Sequence, residues 1–259
     1  AHAAPPNSGR PKKTKAIIPV HLFGQPADMK QILEISEKND LLIIEDCAQA
    51  IGAKHYSKMV GAIGNAGCFS FQESKNITTG GEGGMLTTND DLLEKNVRIV
   101  MHEGEVYLNG ESTAKPESEA QGIDYVRKGH NFRMSAIQAA IGLAQLKKVR
   151  LFVEKRREIA GFYSKKLKKF DEINTPKIRK KCTHAFNNYC IELTDKIPRD
   201  FLIQALNNEG IPAYSYYPKI LPETTFYKQE SKEFKVAKQF CSSQLLLPIY
   251  PGLKKKDLT

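Results

Sequence analysis

Continuous apolar runs of strand length occupy residues 15–23 (KAIIPVHLF) and 40–45 (DLLIIE), and both read as buried strands. Between them PADMKQILEISEKN has helical spacing, with Pro26 suited to a first turn. A strand, helix, strand unit implies a parallel sheet, and the chemistry of such sheets gathers beyond the carboxyl ends of the strands, where Asp46 lies. GCFSF (67–71) and GGMLTT (83–88) read as two more strands, followed by a helix over NDDLLEKNVRIVMH capped by Asn89 or Asp90.

From Gly104 to Lys128 the chain is polar and aperiodic, longer than an ordinary connection, and reads as a functional or mobile loop. A long helical stretch is expected from Ser135 to Phe170, opening on a Ser135 cap and carrying an apolar stripe through Ala136, Ala140, Leu143, Leu146 and Val149. After Pro176 the elements shorten: NNYCIEL as a strand, PRDFLIQALNNEG as a helix closing on Gly210, IPAYSYYP, and a helix near EFKVAKQFCSS. The pattern predicts an α/β protein: a loose start (1–14), a large domain with a mostly parallel sheet flanked by helices (15–148), then a linking helix and a smaller α+β domain (149–259).

Composition narrows the class. At 259 residues and 41% hydrophobic content the chain can build a real core. No run approaches the roughly 18 consecutive apolar residues of a membrane span, so a soluble protein is expected, with no membrane partner. The five cysteines (Cys47, Cys68, Cys182, Cys190, Cys241) are scattered and never spaced as C-x-x-C, which suggests neither a disulfide framework nor a metal site and favours a reducing cytoplasm. The net charge of +10 falls on helical and loop segments such as KKLKKF and KIRKKC without interleaved aromatics, so a solvated basic surface is expected rather than a nucleic-acid partner.

The stretch CFSFQESKNITTGGEGGML (68–86) changes the picture. A lysine, Lys75, follows a strand, with the hydroxyl of Ser70 five residues before it and glycines 80, 81, 83 and 84 after it. A lysine amine can form a Schiff base with a carbonyl such as the aldehyde of pyridoxal 5'-phosphate. That cofactor also needs a carboxylate at its ring nitrogen, donors for its phosphate and a neighbour for its phenolic oxygen. Asp46, Ser70 and Gln49 are candidates for these roles, and the glycines permit positive φ and close approach of backbone to a ligand. Taken singly, each feature is more often an ordinary solvated or turn residue. His21 reads equally well as a ligand contact or a structural histidine.

In combination, PVHLFGQPADM (19–29), IIEDCAQAIGA (43–53), GCFSFQESKNITTGGEGGMLTTND (67–90), GHNFRMSAIQAAIGLAQLKK (129–148) and LPIYPGL (247–253) resemble the DegT/DnrJ/StrS family of pyridoxal-phosphate-dependent sugar aminotransferases of fold type I. The resemblance implies Lys75 as the Schiff-base lysine, Asp46 as the ring-nitrogen partner, Gln49 as the neighbour of the ring and Ser70 as a phosphate ligand. It also implies that Asn131 reaches the phosphate of a neighbouring subunit in a homodimer with shared active sites. The implied activity moves an amino group from glutamate or glutamine to a nucleotide-linked keto-sugar through a Lys-PLP aldimine. Lys75 sets the chain apart from dehydrating relatives, which carry histidine there. Tyr214, Tyr216 and Tyr217 are candidates for the sugar site, the competing reading being packing around Pro218.

Relatives of this kind have further chain before the PVHLFG strand and continue past YPGL into a final helix, so a chain truncated at both ends is expected. A non-catalytic, cofactor-binding family member is the competing reading. His130 stands where Tyr is common, and His102-Glu103-Gly104 where a His-Gly pair is usual.

Overall fold

The computed structural model describes residues 14–107, 122–227, 234–254 and 257–258. In chain order these form β1 (Ala16–Ile17), α1 (Met29–Asn39), β2 (Leu42–Asp46), β3 (Lys54–His55), β4 (Lys58–Met59), β5 (Ala66–Ser70) and β6 (Gly84–Thr87). Then follow α2 (Asp91–Met101), β7 (Glu105–Tyr107), β8 (Ile123–Tyr125), α3 (Ala136–Leu146) and α4 (Val149–Leu167). The remainder are β9 (Ile173–Asn174), β10 (Cys182–Thr183), β11 (Tyr189–Leu193), α5 (Arg199–Asn208), α6 (Lys235–Ser243) and β12 (Gln244–Leu247). The described residues divide into two compact units: those within 14–20, 27–48 and 58–147, and those within 21–26, 49–57 and 148–258.

The first unit is built on a sheet of order β1-β2-β5-β6, parallel through β5, with β6 antiparallel at the edge. Strand β2 alternates in burial: Ile43 and Glu45 are buried, while Ile44 and Asp46 are half-buried. The Glu45 carboxylate is fully enclosed and accepts from the backbone N–H groups of Gly61 at 2.9 Å and of Ile63 and Gly64 at 2.8 Å each. A buried carboxylate is tolerated only with such partners, and here it fastens the 61–64 turn beside β2. Gly67 backs onto the same turn so closely that a Cβ there would overlap the Gly61 backbone.

The expected strand over 15–23 is shorter than its apolar run. Pro19 has no N–H to give to a ladder, so β1 ends at Ile17, Val20 makes only an isolated bridge to Asp46, and residues 22–24 form a 3-10 turn with Phe23 at φ 57°. Helix α1 begins at Met29, with its Asp28 side chain accepting from Gln31 N; Pro26 lies ahead of the helix rather than in its first turn. Asp90 caps α2 as expected, accepting from Leu92 N and Leu93 N. The polar 104–128 stretch contains an antiparallel pair, β7 with β8; the rest of it, 108–121, lies outside the described residues.

The helical stretch from Ser135 is two helices. They are separated at Lys147 and Lys148, where the chain passes from one unit to the other. Helix α3 opens with a capping box between Ser135 and Gln138, yet none of its residues is buried despite the sequence AIQAAIGLAQL. Ile137, Leu143 and Leu146 are 77%, 63% and 52% exposed.

In the second unit β11 is flanked antiparallel by β12 and β9, and β3 pairs with β10. Ile159, Ala160, Phe186, Tyr189, Ile191, Leu193 and Leu245 form its core. Beside that core the buried Arg156 guanidinium donates through Nη1 to the carbonyls of Phe186 (3.1 Å), Asn187 (3.2 Å) and Ile249 (2.7 Å), and burial lowers its pKa to about 10. Among the described residues no helix is long and apolar enough to cross a membrane.

Candidate active site

The carboxyl ends of β2 and β5 set the site. Asp46 pairs in register with Cys68, and Ser70 lies two residues further along β5, so Asp46 and Ser70 share one face of the sheet. Asp46 is held from both sides: its N–H donates to Pro19 O at 2.9 Å, and its Oδ1 accepts from Ala48 N at 3.0 Å. Ser70 Oγ accepts from Gln72 N at 3.3 Å. The thiols beside the carboxylate stay protonated. Burial pushes the Cys47 thiol up, with Glu45 and Asp46 adding to it, and burial together with the Asp46 charge raises Cys68.

Lys75 follows on the segment between β5 and β6. Its amide donates to Gln72 O at 3.0 Å and its side chain is half-buried. The segment is closed at its neck, with Thr79 N donating to Phe71 O at 3.0 Å and Phe71 N to Gly83 O at 2.8 Å. The glycines serve this closure. Gly80 and Gly81 have positive φ, whereas Gly83 has no room for a side chain because the Thr79 hydroxyl fills the place of a Cβ. Approach to a ligand, expected of all four, is not what requires Gly83.

Asn131 is exposed on the first unit and forms an isolated bridge with His102. Gln49 belongs to the second unit and is buried, accepting from Phe23 N at 2.7 Å through Oε1 and donating to the Tyr217 hydroxyl at 3.3 Å through Nε2. The half-exposed Tyr214, Tyr216 and Tyr217 lie on a segment beside β12, where Tyr214 bridges Leu246 and the Tyr216 and Tyr217 rings stand 4.3 Å apart. The structure thus gathers Asp46, Ser70 and the Lys75 segment at one sheet end, and Gln49 with Tyr217 in the other unit.

Three supporting residues escaped the sequence reading. Gln244, buried, donates to Ser215 Oγ and Tyr217 O and accepts from Tyr216 N. Glu45 was visible only as a charge inside an apolar run. Gln138 was visible in the S-x-x-Q capping signature.

The donor set fits pyridoxal phosphate: a primary amine, a carboxylate and a hydroxyl at the carboxyl ends of parallel strands, with the neighbouring thiols protonated. The architecture is that of the fold type I pyridoxal-phosphate transferases. Residues 11–259 match the DegT/DnrJ/EryC1/StrS aminotransferase family, and the chain belongs to it. GDP-perosamine synthase of Caulobacter vibrioides is 35% identical over 255 residues, covering 95% of this chain and 64% of that protein. UDP-N-acetyl-3-dehydro-alpha-D-glucosamine 3-aminotransferase of Acidithiobacillus ferrooxidans is 35% identical over 249 residues, covering 95% and 62%. A DegT DnrJ EryC1 StrS aminotransferase from Brucella abortus superposes with a TM-score of 0.82 at 37% identity, over 94% of this chain and 61% of that one. Spr1654 of Streptococcus pneumoniae, solved in its PMP form, gives 0.85 at 25% identity over 95% and 67%. The family and this neighbour indicate pyridoxal phosphate as the cofactor. The chain spans less than two thirds of the length of these two curated relatives.

Proposed function

We propose that the protein of which this chain is part transfers an amino group from glutamate or glutamine to a nucleotide-linked keto-sugar, giving an amino-sugar for polysaccharide or glycan synthesis. The observation that carries this reading is the β2–β5 register, which puts Asp46 and Ser70 on one sheet face at the root of the Lys75 segment. Pyridoxal phosphate supplies, when bound, an aldehyde carbon that exchanges amines and a ring that draws electrons from the adjacent C–H bond. Lys75 Nζ would hold the cofactor through that carbon, and its free amine would carry a proton as general base and acid. Asp46 would keep the proton on the ring nitrogen, and Ser70 Oγ would donate to the phosphate. Gln49 and Asn131 take the roles that the family resemblance implies, and Tyr214, Tyr216 and Tyr217 are the candidates to line the sugar site.

The exposure of Ile137, Leu143 and Leu146 on α3, a helix with no buried residue, supports a homodimer, since exposed apolar surface of this kind is a feature of contact surfaces. The five free thiols support a cytoplasmic site.

The test is spectral and chemical. Protein incubated with pyridoxal phosphate should gain a visible absorbance band that glutamate shifts. Borohydride should fix the cofactor on the Lys75 peptide, and Lys75→Ala should abolish both. Fixation at Lys75 without amino transfer to any nucleotide keto-sugar favours the non-catalytic alternative; no fixation at Lys75 overturns the reading.

A further inference from the structure

We infer that Gln138 is a positioning residue for Lys75, using one side-chain amide to close the cap of α3 and to clamp the neck of the lysine segment. The inference rests on the reading that Lys75 carries the chemistry.

Gln138 Oε1 accepts from Ser135 N and Ser135 Oγ, each at 3.0 Å, and so completes the capping box. Its Nε2 donates to the Glu82 carbonyl at 3.0 Å, fifty-six residues away in sequence. That carbonyl also receives the buried Thr79 hydroxyl at 2.9 Å, and Thr79 closes the neck through its N–H to Phe71 O. The contact is reinforced by apolar packing: a Cβ at Gly142 would stand 2.9 Å from Thr79 Cγ2, and one at Gly80 3.0 Å from Ile141 Cδ1. The helix and the segment bearing Lys75 therefore meet over small residues and are joined by one amide.

The residue type carries the argument. A capping box is satisfied by Glu or Gln alike, because each presents an acceptor oxygen to the N-cap. Only Gln also offers an N–H, and the group of Glu82 that it meets is the backbone carbonyl, an acceptor. Gln138 thus does what the cap alone does not require, and the α3 N-terminus and the lysine segment hold one another in register. A lysine amine must be held within tenths of an ångström to work as nucleophile and proton carrier, so slack at the neck is felt at Nζ.

Gln138→Glu separates the two tasks: it keeps the cap and turns a carboxylate oxygen toward the Glu82 carbonyl. Hydrogen exchange on the full chain without cofactor is expected to show the amides of Phe71 and Thr79 exchanging about fivefold faster, as for the loss of one hydrogen bond. The amides of Ala140–Leu146 should be unchanged. Fixation of pyridoxal phosphate on Lys75 by borohydride should slow in parallel. If Gln138→Glu fails to fold, Ser135→Asp with Gln138→Met supplies the cap from position 135 and reads the same two amides. Unchanged exchange at Phe71 and Thr79, or slowed fixation without faster exchange, overturns the inference. Absence of any Lys75 adduct in the unaltered chain instead overturns the proposed function, while the exchange comparison still judges the clamp.

Discussion

Asp46 and Cys68 are register partners on adjacent parallel strands, which fixes the direction of the Asp46 carboxylate relative to Ser70 two residues beyond Cys68. Position 46 also has a local task, because Oδ1 accepts the Ala48 N–H. Asp46→Asn keeps that acceptor and removes the charge. Amino transfer by the full protein is expected to fall by about a hundredfold or more, the scale for losing one preorganised electrostatic partner. The thermal midpoint should stay close to that of the parent. Steady-state kinetics beside a melting curve checks both.

Glu45 points the other way from the same strand and is expected to matter for stability alone. Glu45→Ala leaves three backbone N–H groups of the 61–64 turn without their acceptor. A loss on the order of 3–5 kcal/mol is expected, the range for stripping one partner from a buried charged network. Glu45→Gln, which keeps one oxygen, should lose less. Urea denaturation of the three proteins gives the ranking.

His184 makes stability depend on acid. It is buried, its Nδ1 accepts from Phe186 N at 2.9 Å, and burial lowers its pKa from 6.5 to about 3. The unfolded chain therefore binds a proton that the folded chain refuses, and stability falls as pH drops from about 6.5 toward 3 by up to roughly 1.4 kcal/mol per pH unit. His184→Asn retains an acceptor oxygen and removes the titration. Its urea midpoint should change less between pH 7 and pH 5 than the parent's; equal changes would assign the acid sensitivity elsewhere.

The exposed apolar residues of α3 are expected to govern self-association. Replacing Ile137 or Leu143, both largely exposed, by Asp should leave the helix formed and shift the protein toward monomer. Sedimentation velocity across a concentration series checks this, with Leu92→Asp on α2, also exposed, as the comparison.

Features written over short sequence distances were legible. Asp90 and Ser135 cap their helices and Gly210 ends α5 at φ 77°, because caps and turns depend on residues within one helical turn. Strands β2, β5 and β6 followed from apolar runs. The break at Lys147 and Lys148 has neither Gly nor Pro to mark it, and the short β1 turned on one missing proline N–H. The contacts of Glu45 and Gln138 cross 16 to 56 residues, and no local pattern announces which backbone group a side chain will meet. Thus the caps and the main strands could be read from the chain, while the long-range partners of Glu45 and Gln138 emerged only from the fold.

Arg156 binds a carbonyl that lies 93 residues downstream, at Ile249. At roughly 5–20 residues per second of synthesis, about 5–20 s pass between the emergence of the cation and that of its last acceptor. The second unit accordingly cannot seal its interior as it leaves the ribosome. Until then a charged side chain destined for burial remains in water, and the nascent chain presents an unfinished core to the chaperones that meet it.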